Sequence, residues 1–139
     1  MFKNKVSFQK FQSDVPIIKL SLPSGVEFNA LIDTGSESTV FDAEFVSKNS
    51  NQFSSDTEHA MSLIGLGGDV VHTVKNVSTT LILNRKKFLI SGITTDLSNV
   101  NNHIHMIYDV NVSLILGCDM LKQFGAILDF REQSASFNI

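Results

Sequence analysis

Ala30-Leu31-Ile32-Asp33-Thr34-Gly35-Ser36 is the stretch on which the fold turns. An apolar run of strand-forming type ends directly in a carboxylate, and a glycine stands two residues further on. Burying a carboxylate is costly unless donors or a partner charge compensate it. An acid at this place is therefore either a turn residue or a working group. As a turn residue Asp33 would close an Asx turn, with Gly35 supplying a positive φ. As a working group it would be an acid–base catalyst held at the end of a buried strand.

Working outward from Asp33, residues 17–22 form a strand with Ile18, Leu20 and Leu22 on one face. Pro23-Ser24-Gly25 makes a turn, and residues 26–32 return as the second arm of a hairpin. Residues 70–77, 79–83, 87–93, 103–110, 112–116, 126–130 and 135–139 also read as strands, being short apolar or alternating runs rich in Val, Ile, Thr and Phe. Residues 42–59 and 96–102 are polar and read as loop, the first with one short helical turn. A single short helix is expected over 118–124, bracketed by Gly117 and Gly125. Many short strands with turns between them argue for an all-β domain, a sandwich or a barrel, spanning 1–139 as one unit.

Composition narrows the function. The 139 residues are 42% apolar and 18% charged, the balance of a folded globular chain. The net charge of −3, with Lys and Arg scattered, offers no basic stripe to track phosphates, so no nucleic-acid partner is expected. No apolar run approaches the ~20 residues that span a bilayer, and the opening MFKNKVSFQK has no signal-peptide core. The lone Cys118 cannot form an internal disulfide. The expectation is a cytoplasmic protein without a membrane partner.

Two further segments carry meaning. Ile64-Gly65-Leu66-Gly67-Gly68 lies between strands, and its glycines suit a mobile hairpin tip that can bring bare backbone to a ligand. A surface hairpin is the plainer alternative; a phosphate loop is excluded because no Gly-Lys-Ser/Thr follows. Leu114-Ile115-Leu116-Gly117-Cys118-Asp119-Met120-Leu121 runs from a buried strand into a helix, with Asp119 suited to capping it. His103 and His105 would share one face of a strand, but no third ligand is identifiable, so no metal site is expected. Cys118 has no evident His partner and reads as a helix-start residue.

In this order and spacing, the three blocks resemble the retroviral-type aspartic proteases, the retropepsins. Leu31-Ile32-Asp33-Thr34-Gly35-Ser36 with Thr39-Val40 resembles their catalytic loop, and Gly65-Leu66-Gly67-Gly68 their flap tip. Leu116 to Gly125 with Ile127-Leu128-Asp129-Phe130 resembles their final strand, helix and strand. Asp69 after the flap glycines, Glu37, Cys118 and Asp119 depart from the viral pattern, as does extra length in 42–59 and 96–111.

The resemblance implies a closed β-barrel forming a single acid-protease lobe, with one short C-terminal helix, a flap hairpin and a homodimer. It implies an aspartic endopeptidase acting on peptide or protein substrates without a cofactor. Asp33, Thr34 and Gly35 would form the catalytic loop, Thr34 locking two such loops across the dimer axis. Ser36, Glu37, Gly65, Leu66, Gly67 and Ile115 would line the substrate site, the Leu66 N–H reaching substrate through a water. Carboxylate catalysis of peptide hydrolysis needs two acids about 3 Å apart sharing one proton. This chain has one Asp-Thr-Gly, so a second copy must bring the other. The Ser36 hydroxyl would donate to the Asp33 carboxylate, and the chain ends, with Phe137 and Ile139, would join the interface. The competing readings are a non-catalytic peptide-binding or dimerisation module of the same fold, and a purely structural β-domain.

Overall fold

The computed structural model describes residues 3–9, 15–63 and 70–139. In chain order they form β1 (Lys3–Ser7), β2 (Ile17–Ser21), β3 (Glu27–Ile32), β4 (Val40–Asp42), α1 (Ala43–Lys48), β5 (Phe53–Ser55), β6 (His59–Leu63), β7 (Val70–Leu83), β8 (Lys86–Thr95), α2 (Ser98–Tyr108), β9 (Leu114–Leu116), α3 (Cys118–Gln123), β10 (Ile127–Asp129) and β11 (Ser134–Asn138). A single 3-10 turn, Ser50–Gln52, joins α1 to β5.

β2 and β3 are the expected hairpin, with Gly25 at φ 97° in its turn, a conformation that favours glycine. Alternation sets the register: Ile18, Leu20, Phe28, Ala30 and Ile32 all turn to the core. The strands close into a six-stranded barrel in the order β2-β3-β9-β4-β8-β7, sealed where Ser21 of β2 meets Ile82 of β7. Closure removes sheet edges that would otherwise invite pairing with other chains. A second sheet, β1-β11-β10, lies beside the barrel and sends Ala135 and Phe137 into its core. Phe41, Ile18, Leu22, Leu81, Ile90 and Leu114 fill that core, each burial stabilising by ~1.5–3 kcal/mol. A smaller cluster of Val40, Val74, Ile93, Leu97 and Ile115, with Met61 packed against it, ties the base of the β6–β7 hairpin to β9.

Several expectations need correction. Residues 70–77 and 79–83 are one 14-residue strand, β7, because Asn76, Val77 and Ser78 are paired on both sides or bonded through Asp56. Residues 103–110, expected as a strand, and 96–102, expected as loop, together hold the helix α2. Its half-buried residues Val100, Ile104 and Tyr108 recur at four-residue spacing, and the His/Ile alternation is incidental to that face. Asn101 fastens the helix by accepting the Val112 N–H at 2.7 Å and donating to the Val112 carbonyl at 3.0 Å. The chain thus carries three helices among the described residues, where one was expected. On a helix, His103 and His105 diverge instead of sharing a face, and His105 pairs with Asp109 at 3.2 Å.

Candidate active site

β9 lies between β3 and β4, parallel to the first and antiparallel to the second. The loop 33–39 that joins β3 to β4 must therefore arch over the end of β9. Asp33 enters this arch with its N–H bonded to the Leu116 carbonyl at 3.0 Å. Its carboxylate, half-buried, accepts the Gly35 N–H at 2.9 Å, and the Ser36 N–H returns to the Asp33 carbonyl at 3.2 Å. A side chain on Gly35 would place its Cβ 3.1 Å from the Asp33 carboxylate. A side chain here would crowd the carboxylate by a few tenths of an ångström, and the φ of Gly35 lies outside the left-handed region that the turn reading assigned it.

The far side of the arch is fastened to the start of α3. Cys118 N–H donates to the Ser36 carbonyl at 2.8 Å, and Asp119 N–H to the Glu37 carbonyl at 3.2 Å. The Cys118 Sγ lies 3.1 Å from the Thr34 carbonyl oxygen. Thr39, fully buried, donates its hydroxyl to Asp119 Oδ1 at 2.7 Å and accepts the Gly117 N–H at 3.1 Å. Asp119 Oδ2 takes the Thr39 N–H at 3.2 Å, and its Oδ1 also takes the Met120 N–H at 2.7 Å. Asp119 thus braces the loop 33–39 from within the first turn of α3, where Gly117 holds the N-cap position. A Cβ on Gly117 would sit 2.3 Å from the Ser38 carbonyl oxygen, so no larger residue fits under the arch. The pairing of Thr39 with Asp119, which fastens this loop, is the contact that sequence reasoning missed. Its one trace is an acid in an apolar helix start, which reads as a cap.

Thr34, Gly35 and Glu37 are exposed on the arch, and of these Gly35 touches the Asp33 carboxylate through its N–H. Ser36 is buried, and its hydroxyl donates to the Ser38 carbonyl at 2.7 Å. The expected bond to Asp33 is therefore not made; the Ser38 carbonyl lies within reach inside the loop and needs a donor. Ile115, expected at the substrate site, is fully buried in the cluster with Val40, Val74, Ile93 and Leu97. It is a core residue here, because the hairpin base and Leu97 cover it. Gly65, Leu66 and Gly67, the expected flap tip, lie outside the described residues. The strands flanking them pair antiparallel from His59 with Val74 to Leu63 with Val70.

A cleft of about 490 Å³ opens between α1, β5 and β7, lined by Val46, Phe53, Lys75 and Thr95 among others, and none of residues 33–39 borders it. Among the described residues no ion pair involves Asp33, and no three His, Cys, Asp or Glu side chains converge as metal ligands. Among them, too, no helix is long and apolar enough to cross a membrane.

A sequence profile described as "Retroviral aspartyl protease" matches residues 12–129. Solved structures that share the fold include the following three. The retroviral protease-like domain of Ddi1 from Leishmania major superposes with a TM-score of 0.64 at 12% identity, covering 91% of this chain and 90% of that one. A retropepsin-like aspartic protease from Rickettsia conorii gives 0.55 at 13% identity, covering 99% of both chains. EIAV protease, solved with the inhibitor HBY-793, gives 0.52 at 20% identity over 87% of this chain and 98% of its own. No curated protein matches the chain significantly.

Proposed function

Because the chain belongs to the retroviral aspartyl protease family, we propose that it is an aspartic endopeptidase working as a homodimer, each subunit supplying Asp33. The observation that carries this reading is the braced arch. Asp33 is held by backbone bonds to β9 and Gly35, while Thr34 and Gly35 beside it stay exposed. Such an arrangement suits a surface completed by a second copy.

Two Asp33 carboxylates brought about 3 Å apart cannot both ionise, so the pair holds one proton. The ionised member takes a proton from water as it attacks the scissile carbonyl. The protonated member donates to the carbonyl oxygen, and a proton then passes to the leaving amine. No metal or cofactor is needed for these steps. In this reading Thr34 joins the two arches across the axis, and Gly35 lets substrate backbone approach the acids. Glu37 binds substrate at the rim, and Gly65, Leu66 and Gly67 close over it. Substrates are peptides or unfolded protein segments, and a cytoplasmic location accords with the free Cys118.

The test is cleavage of a denatured-protein mixture by the purified chain, its inhibition by pepstatin, and its loss in Asp33→Asn. Cleavage at the wild-type rate by a folded Asp33→Asn protein would end the proposal.

A further inference from the structure

We infer that the tip of the β7–β8 hairpin and the strand β1 together form a basic docking surface for an acidic segment of a polypeptide partner. Lys and Arg are scattered along the sequence, but the fold gathers five of the eleven: Lys3, Lys5, Arg85, Lys86 and Lys87. The joint between the two segments is made by asparagines. Asn4 donates to the Leu83 carbonyl at 2.7 Å, and Asn84 donates to Asn4 Oδ1 at 2.7 Å and to the Lys5 carbonyl at 2.6 Å. Lys3 and Lys5 flank Asn4 on the exposed face of β1, and the other three cations follow Asn84. Asn84 and Arg85 have positive φ, 49° and 68°, as a tight two-residue hairpin turn requires. Glycine is favoured at the second of those places, yet an exposed arginine holds it.

Two carboxylates lie beside this group. Glu132 pairs with Lys5, and the charge of Asp129 also reaches Lys5. Five cations thus meet two acids here, which leaves six Lys and Arg against twelve Asp and Glu on the rest of the chain. The Lys5–Glu132 pair also displays the chemistry that the surface takes: a side-chain carboxylate brought to it by a separate stretch of polypeptide. Further carboxylates would relieve the repulsion among the remaining cations.

The acidic remainder of the chain decides between polyanions. A nucleic acid carries its charge over many nucleotides, and an anionic membrane presents a plane. Either would overrun the patch onto a surface where acids outnumber bases two to one. A short acidic segment ends where the cations end. The apolar group beside them points the same way. In β8, Phe88 and Ile90 turn towards the core while Lys87 and Leu89 turn outward, so Leu89, 73% exposed, stands next to the cations. A leucine suits an aliphatic side chain set among the acids, whereas bases need an aromatic face to stack on.

The surface lies away from the Asp33 arch. Ser21 meets Ile82 near the hairpin tip, and Ser21 pairs with Glu27, at the end of β3 opposite to Asp33. The extended stretch from Glu27 to Asp33 is about 20 Å long, so a segment docked at the tip leaves the arch open.

The test is fluorescence anisotropy with a labelled peptide of glutamates and interspersed leucines, beside the same peptide with glutamine for glutamate. The full chain should bind the acidic peptide about tenfold more tightly or better at low salt, and lose most of that preference above about 0.3 M salt. Arg85→Glu combined with Lys87→Glu should weaken binding about tenfold or more, and Lys3→Glu alone about threefold. Lys48→Glu, the same change of charge on α1, should stay within about twofold of wild type. Far-UV circular dichroism shows that each variant is folded. Equal binding of the two peptides overturns the proposal, as does a doubly reversed hairpin that binds like wild type. An unchanged Lys3→Glu protein refutes a surface shared by β1 and the hairpin. Tighter binding of a single-stranded oligonucleotide or of phosphatidylserine vesicles, lost in the same variants, overturns the choice of a polypeptide partner. None of these readings depends on peptide hydrolysis, so this proposal and the catalytic one fail separately.

Discussion

Replacing Thr39 with valine probes the brace under the Asp33 arch with almost no change of shape. The hydroxyl that is lost donates to Asp119 at 2.7 Å and accepts from the Gly117 N–H at 3.1 Å, in a fully buried position. Stranding a buried N–H costs ~1–3 kcal/mol, and a hydrogen bond to a charged group contributes ~1.5–3 kcal/mol. Asp119 keeps the Thr39 and Met120 N–H donors, so the lower end applies to the carboxylate. The expected destabilisation is about 3–4 kcal/mol, a large share of the ~5–15 kcal/mol that holds a typical domain folded. Thr39→Ser is the control, since it keeps both bonds and loses one methyl, worth about 1 kcal/mol. Urea unfolding at fixed protein concentration, in an Asp33→Asn background to prevent self-cleavage, measures both. A Thr39→Val chain as stable as Thr39→Ser would refute the bracing role.

Gly117→Ala should lower kcat/KM about 100-fold, because the new Cβ must push the Ser38 carbonyl from 2.3 Å and so shift the arch by an appreciable part of an ångström; an unchanged rate would show that the arch is not stiff. Ser36→Ala should leave the pH–rate profile in place and lower stability by about 1 kcal/mol, since its hydroxyl serves Ser38 and not Asp33; a moved acid limb would contradict that geometry. The Asn76 side chain, and then its backbone N–H, hold the Asp56 carboxyl below the ordinary aspartate range. A depressed carboxyl stabilises the fold above its unfolded pKa, and that stabilisation is lost as pH falls through the folded value. Asn76→Ala should therefore be less stable than wild type at pH 6, with the gap closing below the ordinary value of 3.8; a gap that widens in acid would reverse the sign.

What the sequence discloses is what local pattern can carry. The apolar run into Asp33 and the alternation in β2 and β3 are local, so the hairpin and the acid after it are legible in the order of residues alone. The Thr39–Asp119 pairing joins residues 80 positions apart, and neither residue type announces the other. The direction of the Ser36 hydroxyl escapes a sequence reading for a related reason: a donor's type is visible in sequence, but its nearest acceptor is set by how the loop folds. α2 reads as a strand because none of its residues is fully buried, so its helical period is faint, and the alternation of His103, Ile104, His105 and Met106 matches a strand. Resemblance places Ile115 at the substrate site, whereas its packing against Val40, Val74, Ile93 and Leu97 joins segments far apart in sequence and is not visible in a local pattern.

The insertion of β9 between β3 and β4 also orders events in time. The contacts that brace the arch join residues 84 apart, as Cys118 and Thr34 do, so the half of the site made last on the ribosome holds the half made first. At ~5–20 residues per second, β3 waits about 4–17 s for the strand that completes it. Until then Asp33 has neither the Leu116 carbonyl beneath it nor the Asp119 brace behind its loop. Pairing over such a separation is also slow to find, because a long loop must close before any contact rewards it. In a nascent chain the arch around Asp33 is thus braced only when nearly the whole barrel has been made.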